Sequence, residues 1–342
     1  MRSRVGAFGC VFVFIKLNME MQNGIILLGD RMSIEINVLP VGEGDCIHIR
    51  FIDRYGTHNI IIDSGPGSAV RKFRGLLEHL RGVGDVVDAL CFTHIHDDHI
   101  KAAERVFSDT RFDGSIIKSV WLNAIDYDNT KLSNDMSISS SLKLQKHIER
   151  LGIPFCNVVA GEQFQIGEAV ITVIAPNEVK HNNYISYWKA KTNNVDMSAV
   201  DKSVVNGDSI AFAFSLGNFN ILFLGDTHID SAIAGVNKYC GNMDFFAVKL
   251  SHHGRNANIS KELLEVVNTE KFIISASGIG MNSKDEVLDI IADFNPKIEK
   301  TVLCNFDVSN ISNVNEKVML RNICSDEYKT KEIVIKSEVY YG

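Results

Sequence analysis

Cys91-Phe-Thr-His-Ile-His-Asp-Asp-His-Ile100 decides how this chain is read. It closes an apolar run, Val86 to Phe92, with the make-up of a buried strand. The run stops, and His94, His96, Asp98 and His99 follow within six positions. Neutral imidazole and carboxylate are the ligands that borderline divalent ions such as zinc take. A strand end offers them a fixed backbone and a tip open to solvent. While the tip stays extended, side chains alternate, so His94 and His96 point the same way. Asp98 and His99 lie past the bend and can face a second ion. A lone histidine is ordinarily a surface or core residue. Three histidines and an aspartate in one loop are costly for stability alone, since each needs a polar partner. The loop is therefore expected to hold two metal ions side by side.

Working outward, the chain of 342 residues is 45% hydrophobic and 23% charged, which suits a globular protein with a large core. Its formal net charge of −7 argues against a broad nucleic-acid-binding face, which needs a basic surface. The seven cysteines are scattered and form no CxxC pair, which points to a reducing compartment and a cytoplasmic location. Residues 1–31 resemble a weak signal segment: Arg2 and Arg4, the apolar run Val5 to Ile15, then Lys16. That run is too short to span a bilayer comfortably, and no membrane association is expected. The folded domain is expected to begin near Met32, with 1–31 as an extension and 32–342 as a single domain.

Val41-Gly-Glu-Gly-Asp-Cys46 reads as a turn between the strands Ser33 to Pro40 and Ile47 to Phe51, its glycines serving hairpin chemistry. A third strand, His58 to Ile62, ends in Asp63, placed to orient an imidazole N–H of a nearby ligand. Val70 to Arg81 reads as an amphipathic helix, with another near 101–108. A strand is expected over 116–122 and a polar surface loop over 126–141. After the hairpin 162–176, residues 177–205 are strongly polar and read as a long irregular insertion, either a lid or a disordered segment. A hairpin of Ser209–Ser215 and Phe219–Leu224 delivers Asp226, and the run from Asp244 to Leu250 ends in His252-His253-Gly254. Further strands and helices alternate to the end, as in a layered α/β arrangement, where sites gather at strand ends.

Taken together and in order, His-x-His-x-Asp-His, Gly-Asp and His-His-Gly resemble the signature of the metallo-β-lactamase-fold hydrolases over most of 33–295. The resemblance implies a four-layer αβ/βα sandwich: two mixed β-sheets flanked by helices, with two metals in a cleft along one edge. It further implies His94 and His96 on the first ion, Asp98, His99 and His253 on the second, and Asp226 bridging them. His252 would face the substrate. Asp98, His252 and His228 are the candidate catalytic residues. The family's usual histidine between the first motif and Gly-Asp is missing. In its place stands Asn206-Gly-Asp-Ser209, similar to the branch that contains the hydrolase domain of DNA-uptake competence proteins. Asn206, or Asp208, could take the missing ligand's place. That branch also tends to carry a His-Pro pair where this chain has Gly278 to Lys284.

Three functions follow as expectations. The first is hydrolysis of phosphodiesters, in nucleotides or short strands of nucleic acid, using two divalent ions, zinc or else manganese. The second is hydrolysis of carboxylic esters, thioesters, lactones or lactams. The third is a binding module left with one metal.

Overall fold

The computed structural model describes residues 13–15, 32–123, 125, 135–193, 203–277, 284–306, 318–322 and 333–334. Two eight-stranded sheets are formed by these residues. The first contains β1 (Val13–Ile15), β2 (Ser33–Val38), β3 (Ile47–Asp53), β4 (Gly56–Ile62), β5 (Ala89–Cys91), β6 (Val120–Trp121) and β7 (Phe155–Cys156), with β16 (Ile333–Val334) beyond β1. The second runs from β8 (Gln163–Ile166) through β9 (Ala169–Ala175), β10 (Ala211–Leu216), β11 (Phe219–Phe223), β12 (Ala247–Lys249), β13 (Lys271–Ile274) and β14 (Lys300–Cys304) to β15 (Val318–Asn322). Both sheets are mixed: β2–β3–β4 and β8–β9–β10–β11 are antiparallel, β4–β5–β6–β7 and β11–β12–β13–β14–β15 parallel.

Period-two alternation sends each strand's side chains to two different apolar layers. Ile60 and Ile62 enter the layer between the sheets, while Ile61 faces outward. Phe212 and Phe214 enter the same inner layer, while Ala211 and Ala213 face outward. Burial on both faces is why these strands read as unbroken apolar runs. The outer face of the first sheet is covered by α1 (Val70–Gly82), α2 (Asp97–Phe107) and α3 (Met136–Arg150). That of the second is covered by α6 (Ile229–Tyr239), α7 (Lys261–Val267) and α8 (Lys284–Asp293). The result is the four-layer sandwich expected from the sequence.

Several elements depart from expectation. Within the segment read as an extension, Val13–Ile15 pairs antiparallel with Ile34–Ile36. The strand expected over 116–122 shrinks to β6, because Gly114–Ile116 winds into a 3-10 turn. Helix α3 begins at Met136, inside the expected surface loop, where the Asp135 carboxylate caps it by accepting from the Ser137 and Ile138 N–H groups. Residues 278–283 lie outside the described residues.

The largest correction concerns 177–205. Within it stand α4 (Glu178–Thr192), capped by Asn177, and the start of α5 (Val204–Gly207), while residues 194–202 lie outside the described residues. The polar composition hid an anchor: Tyr184, Tyr187 and Trp188 lie three to four residues apart, on one helical face. All three are buried in the layer formed with α1, α2 and α3, and the Tyr187 hydroxyl donates to Asp135 Oδ2 at 2.9 Å. Helix α4 thus packs on the helical layer of the first sheet. Trp188→Ala is expected to destabilise the protein by about 3–5 kcal/mol, the cost of a large aromatic cavity, measured by urea unfolding. A change below about 1 kcal/mol would show that the anchor carries no load.

Candidate metal centre

The candidate ligands stand at the carboxyl ends of neighbouring parallel strands. Asp63 follows β4, the His94 loop follows β5, Asp226 follows β11 and the twin histidines follow β12. Helix α2 begins at Asp97, so Asp98 and His99 occupy its first turn, where the backbone dipole favours a carboxylate.

Four imidazoles converge on one oxygen of Asp226. Oδ2 lies 3.7 Å from His94 Nε2, 3.6 Å from His99 Nε2, 3.6 Å from His252 Nε2 and 3.9 Å from His253 Nε2. Asp98 Oδ2 is 3.6 Å from His99 Nε2 and 3.3 Å from His253 Nε2, and His94 Nε2 is 2.9 Å from His96 Nδ1. Two ligands on one tetrahedral zinc, each about 2.0–2.1 Å from it, stand roughly 3.3 Å apart. Most of these separations are therefore too long for hydrogen bonds and suited to sharing an ion. His99 Nε2, His253 Nε2 and Asp226 Oδ1 are buried with no hydrogen-bond partner among the described residues. Buried polar atoms are rarely left so, and divalent ions held here would satisfy them. Among the described residues four overlapping groups could hold one: His94, His99 and Asp226; Asp98, His99 and His253; Asp45, Asp63 and His99; and Asp45, Asp226 and His253. His96, expected on the first ion, is in none of them.

Behind the ligands, side chains fix which ring nitrogen is bare. Asp63 accepts from the Thr93 N–H at 2.7 Å and the Thr93 hydroxyl at 2.8 Å, and pairs with His99 Nδ1 at 2.8 Å. Thr93 has spent its only hydroxyl proton on Asp63, so at 3.1 Å it accepts from His94 Nδ1. When neutral, both rings would therefore present a bare Nε2 to an ion. His253 Nδ1 stands 3.5 Å from Asp45 Oδ1, whose other oxygen accepts from Lys249 Nζ at 2.7 Å. Asp45 and Lys249 escaped the sequence reading. The available signals were an aspartate entering a buried strand and a lysine inside the apolar run Ala247-Val-Lys-Leu250. Each demands a buried partner of opposite charge.

Charges follow from this packing. Burial works against the ionised carboxyl of Asp226, but His99, His253 and His94 outweigh it and hold it well below the usual range. Burial likewise opposes a charged His99 or His253. Asp226, with Asp63 behind His99 and Asp45 behind His253, overcomes it: His99 is raised well above its ordinary value and His253 to about 9. Burial pushes His94, His96 and His252 down, leaving neutral rings.

The remaining expected residues lie as follows. Asn206 directs its amide at His252 Nδ1, 3.5 Å away, and Ser209 Oγ accepts from the Asp226 N–H at 3.3 Å, so both ends of Asn206-Gly-Asp-Ser209 touch the site. Asp208 is buried against His181 Nδ1 at 2.8 Å, and burial raises it to about 7 although His181 pulls it down. His228 is held between Lys180 Nζ and the Ser203 carbonyl, each at 3.1 Å. His252 and His253 both adopt left-handed backbone, with φ of 51° and 57°, a strained state for non-glycine residues. That geometry lets two consecutive side chains face the same carboxylate.

A two-sheet sandwich with this cluster at one end of its strands is the metallo-β-lactamase fold. Residues 40–124, which carry Asp45, Asp63 and the histidine loop, match the model of the Metallo-beta-lactamase superfamily. Similar solved structures include the metallo-beta-lactamase fold protein YhfI from Bacillus subtilis, at 11% identity and TM-score 0.45, covering 80% of this chain and 97% of that one. A diphosphatase of the PhnP family matches at 12% identity and TM-score 0.38, covering 84% and 85%. A putative zinc-dependent hydrolase of the superfamily from Thermotoga maritima matches at 12% identity and TM-score 0.36, covering 85% and 98%. A search of curated proteins returned no match. Among the described residues no helix is long and apolar enough to cross a membrane.

Proposed function

We propose that this protein is a metal-dependent hydrolase of phosphodiester bonds in nucleotides or short nucleic-acid strands, acting in the cytoplasm. His94 and Asp226, with His96 beside His94, would hold one ion; Asp98, His99, His253 and Asp226 would hold the other. The observation that carries this reading is the convergence of four imidazoles on one oxygen of Asp226. Two divalent ions, zinc or manganese, would supply a nucleophilic water at neutral pH and polarise the scissile phosphoryl oxygen. Asp226, shared by both proposed ligand sets, would fix how far apart the ions sit. Asp98, its side chain 38% exposed, is the most open of the carboxylates in the cluster, where it would be reachable by a substrate.

His252 stays neutral, and the Asn206 amide on its Nδ1 leaves the hydrogen on Nε2. From there it would donate a hydrogen bond to an oxygen of the bound substrate without giving up its proton, in place of the proton donor expected from the sequence. His228, a catalytic candidate from the sequence, is held by Lys180 and the Ser203 carbonyl and makes no hydrogen bond or ion pair with the Asp226 cluster among the described residues, so a structural role is proposed for it in place of a catalytic one. A phosphodiester is favoured over a carboxylic ester or lactam because the first ion lacks a third imidazole. The contact of Asn206 and Ser209 with the site supports the likeness to the competence-protein branch.

The test is a reconstituted sample, loaded with zinc or manganese, assayed on bis(p-nitrophenyl) phosphate, short single-stranded oligonucleotides, a thioester and nitrocefin. Metal-dependent cleavage of the phosphodiesters alone is expected. Turnover of only the thioester or nitrocefin would overturn the proposal.

Metal uptake is also expected to release protons. His99 and His253 are raised above their ordinary values, so both carry the extra proton at pH 7 in the metal-free protein and lose it on ligation. Affinity should therefore weaken steadily as pH falls below about 9, where His253 takes its proton. Calorimetric titration with zinc in two buffers of different ionisation enthalpy measures the release. Identical heats in the two buffers would contradict it.

A further inference from the structure

Lys249 poses a question that the proposed reaction leaves unanswered. It is 1% exposed and lies in a strand whose neighbours are apolar. Val248 and Leu250 face the outer helices, while Ala247 faces the other sheet. Alternation therefore turns Lys249 inward, into the layer between the sheets. There its ammonium meets Asp45, which comes from the turn before β3 of the opposite sheet, 204 residues away in sequence. It donates to Asp45 Oδ2 at 2.7 Å and to the Leu250 carbonyl at 3.0 Å.

A buried ion pair is a poor way to join two sheets, because desolvating both charges offsets most of their attraction. Apolar residues of equal volume serve stability as well. What they cannot do is hold a carboxylate in a fixed orientation. Lys249 occupies one oxygen of Asp45 and leaves the other, Oδ1, facing His253 Nδ1 with no other partner among the described residues.

The two halves of the metal centre also differ in their support. His99 and His253, the proposed imidazoles of the second ion, each face a buried carboxylate at Nδ1: Asp63 at hydrogen-bond distance, 2.8 Å, and Asp45 at 3.5 Å, an ion-pair approach with no hydrogen bond formed. At Nδ1 of His94, on the proposed first ion, the partner among the described residues is the Thr93 hydroxyl, with no carboxylate. A carboxylate behind a ligating imidazole fixes its tautomer and raises its basicity. Resting on the metal assignment above, we propose that Lys249 is a positioning residue: through Asp45 it orients His253, and so makes the Asp98–His99–His253 subsite the tighter of the two. This subsite fills first, and the His94–His96 subsite is the exchangeable one.

The experiment is a zinc titration of the full-length, metal-stripped protein against a competing chelator, with elemental analysis after desalting. The wild type should bind two equivalents of unequal affinity, and Asp98→Ala should lose the tighter one. Lys249→Met should weaken the tighter equivalent about tenfold or more, the usual effect of removing such support, with the weaker one little changed. Should Lys249→Met fail to fold, the charge-balanced pair Asp45→Asn/Lys249→Met decides. It leaves no charge buried alone, so it should regain the wild-type circular dichroism spectrum without regaining the affinity. His96→Ala should affect only the weaker equivalent. Two equal affinities in the wild type would overturn the proposal, as would a tight equivalent unmoved in both Lys249 variants. A wild type that binds two unequal ions yet cleaves no phosphodiester removes the proposed reaction and leaves this inference standing.

Discussion

Asp226→Ala is expected to abolish phosphodiester cleavage and to strip the protein of at least one metal ion. The side chain is 1% exposed, and its Oδ2 is the atom on which His94, His99, His252 and His253 converge. A methyl group there leaves the two proposed ions without their shared ligand, and their mutual repulsion without a negative charge between them. Charge stabilisation by ions of this kind amounts to several kcal/mol in the transition state, so the rate on bis(p-nitrophenyl) phosphate should fall about a thousandfold or more. The fold should survive, because His99 keeps Asp63 and His253 keeps Asp45 as partners. Unchanged circular dichroism with lost zinc is the expected pair of readouts. Full activity with two ions retained would take Asp226 out of the reaction.

The second large effect is expected at Gly44, in the turn that the sequence presents as ordinary hairpin chemistry. Gly42 and Gly44 both have positive φ, 86° and 118°. Around Gly42 a Cβ would meet nothing within 4 Å, whereas at Gly44 it would stand 2.1 Å from the Asp98 carbonyl oxygen. The turn therefore packs against the first turn of α2, and only glycine permits that approach. Gly42→Ala should cost about 1–2 kcal/mol for its left-handed backbone. Gly44→Ala adds a clash with backbone that cannot swing aside, worth about 1–3 kcal/mol more, and it displaces Asp98. Urea unfolding of the two variants gives the difference, and zinc affinity should drop in Gly44→Ala alone. Equal losses in both would mean that the close approach to α2 is unimportant.

The histidine loop of the candidate site was legible in the sequence because its signal is local. His94, His96, Asp98 and His99 are contiguous, and a run from Val86 to Phe92 with no polar partner in it but Asp88 announces the strand that carries them. Asp226 and His253 were legible for the same reason, each following an apolar strand. Helix α4 was missed although Tyr184, Tyr187 and Trp188 hold helical spacing, since asparagines and lysines around them lowered the apparent amphipathicity.

By itself, then, the sequence determined the layered fold and the residue types at the strand ends, because alternation and ligand clustering are properties of neighbouring residues. Only the tertiary structure decided which imidazoles meet which carboxylates. Asp45 finds Lys249 across the sheets at a separation of 204 residues, and His252 and His253 face one aspartate through two left-handed backbone steps. Contacts of that kind arise from how two sheets stack, and no pattern along one strand encodes the partner on the other.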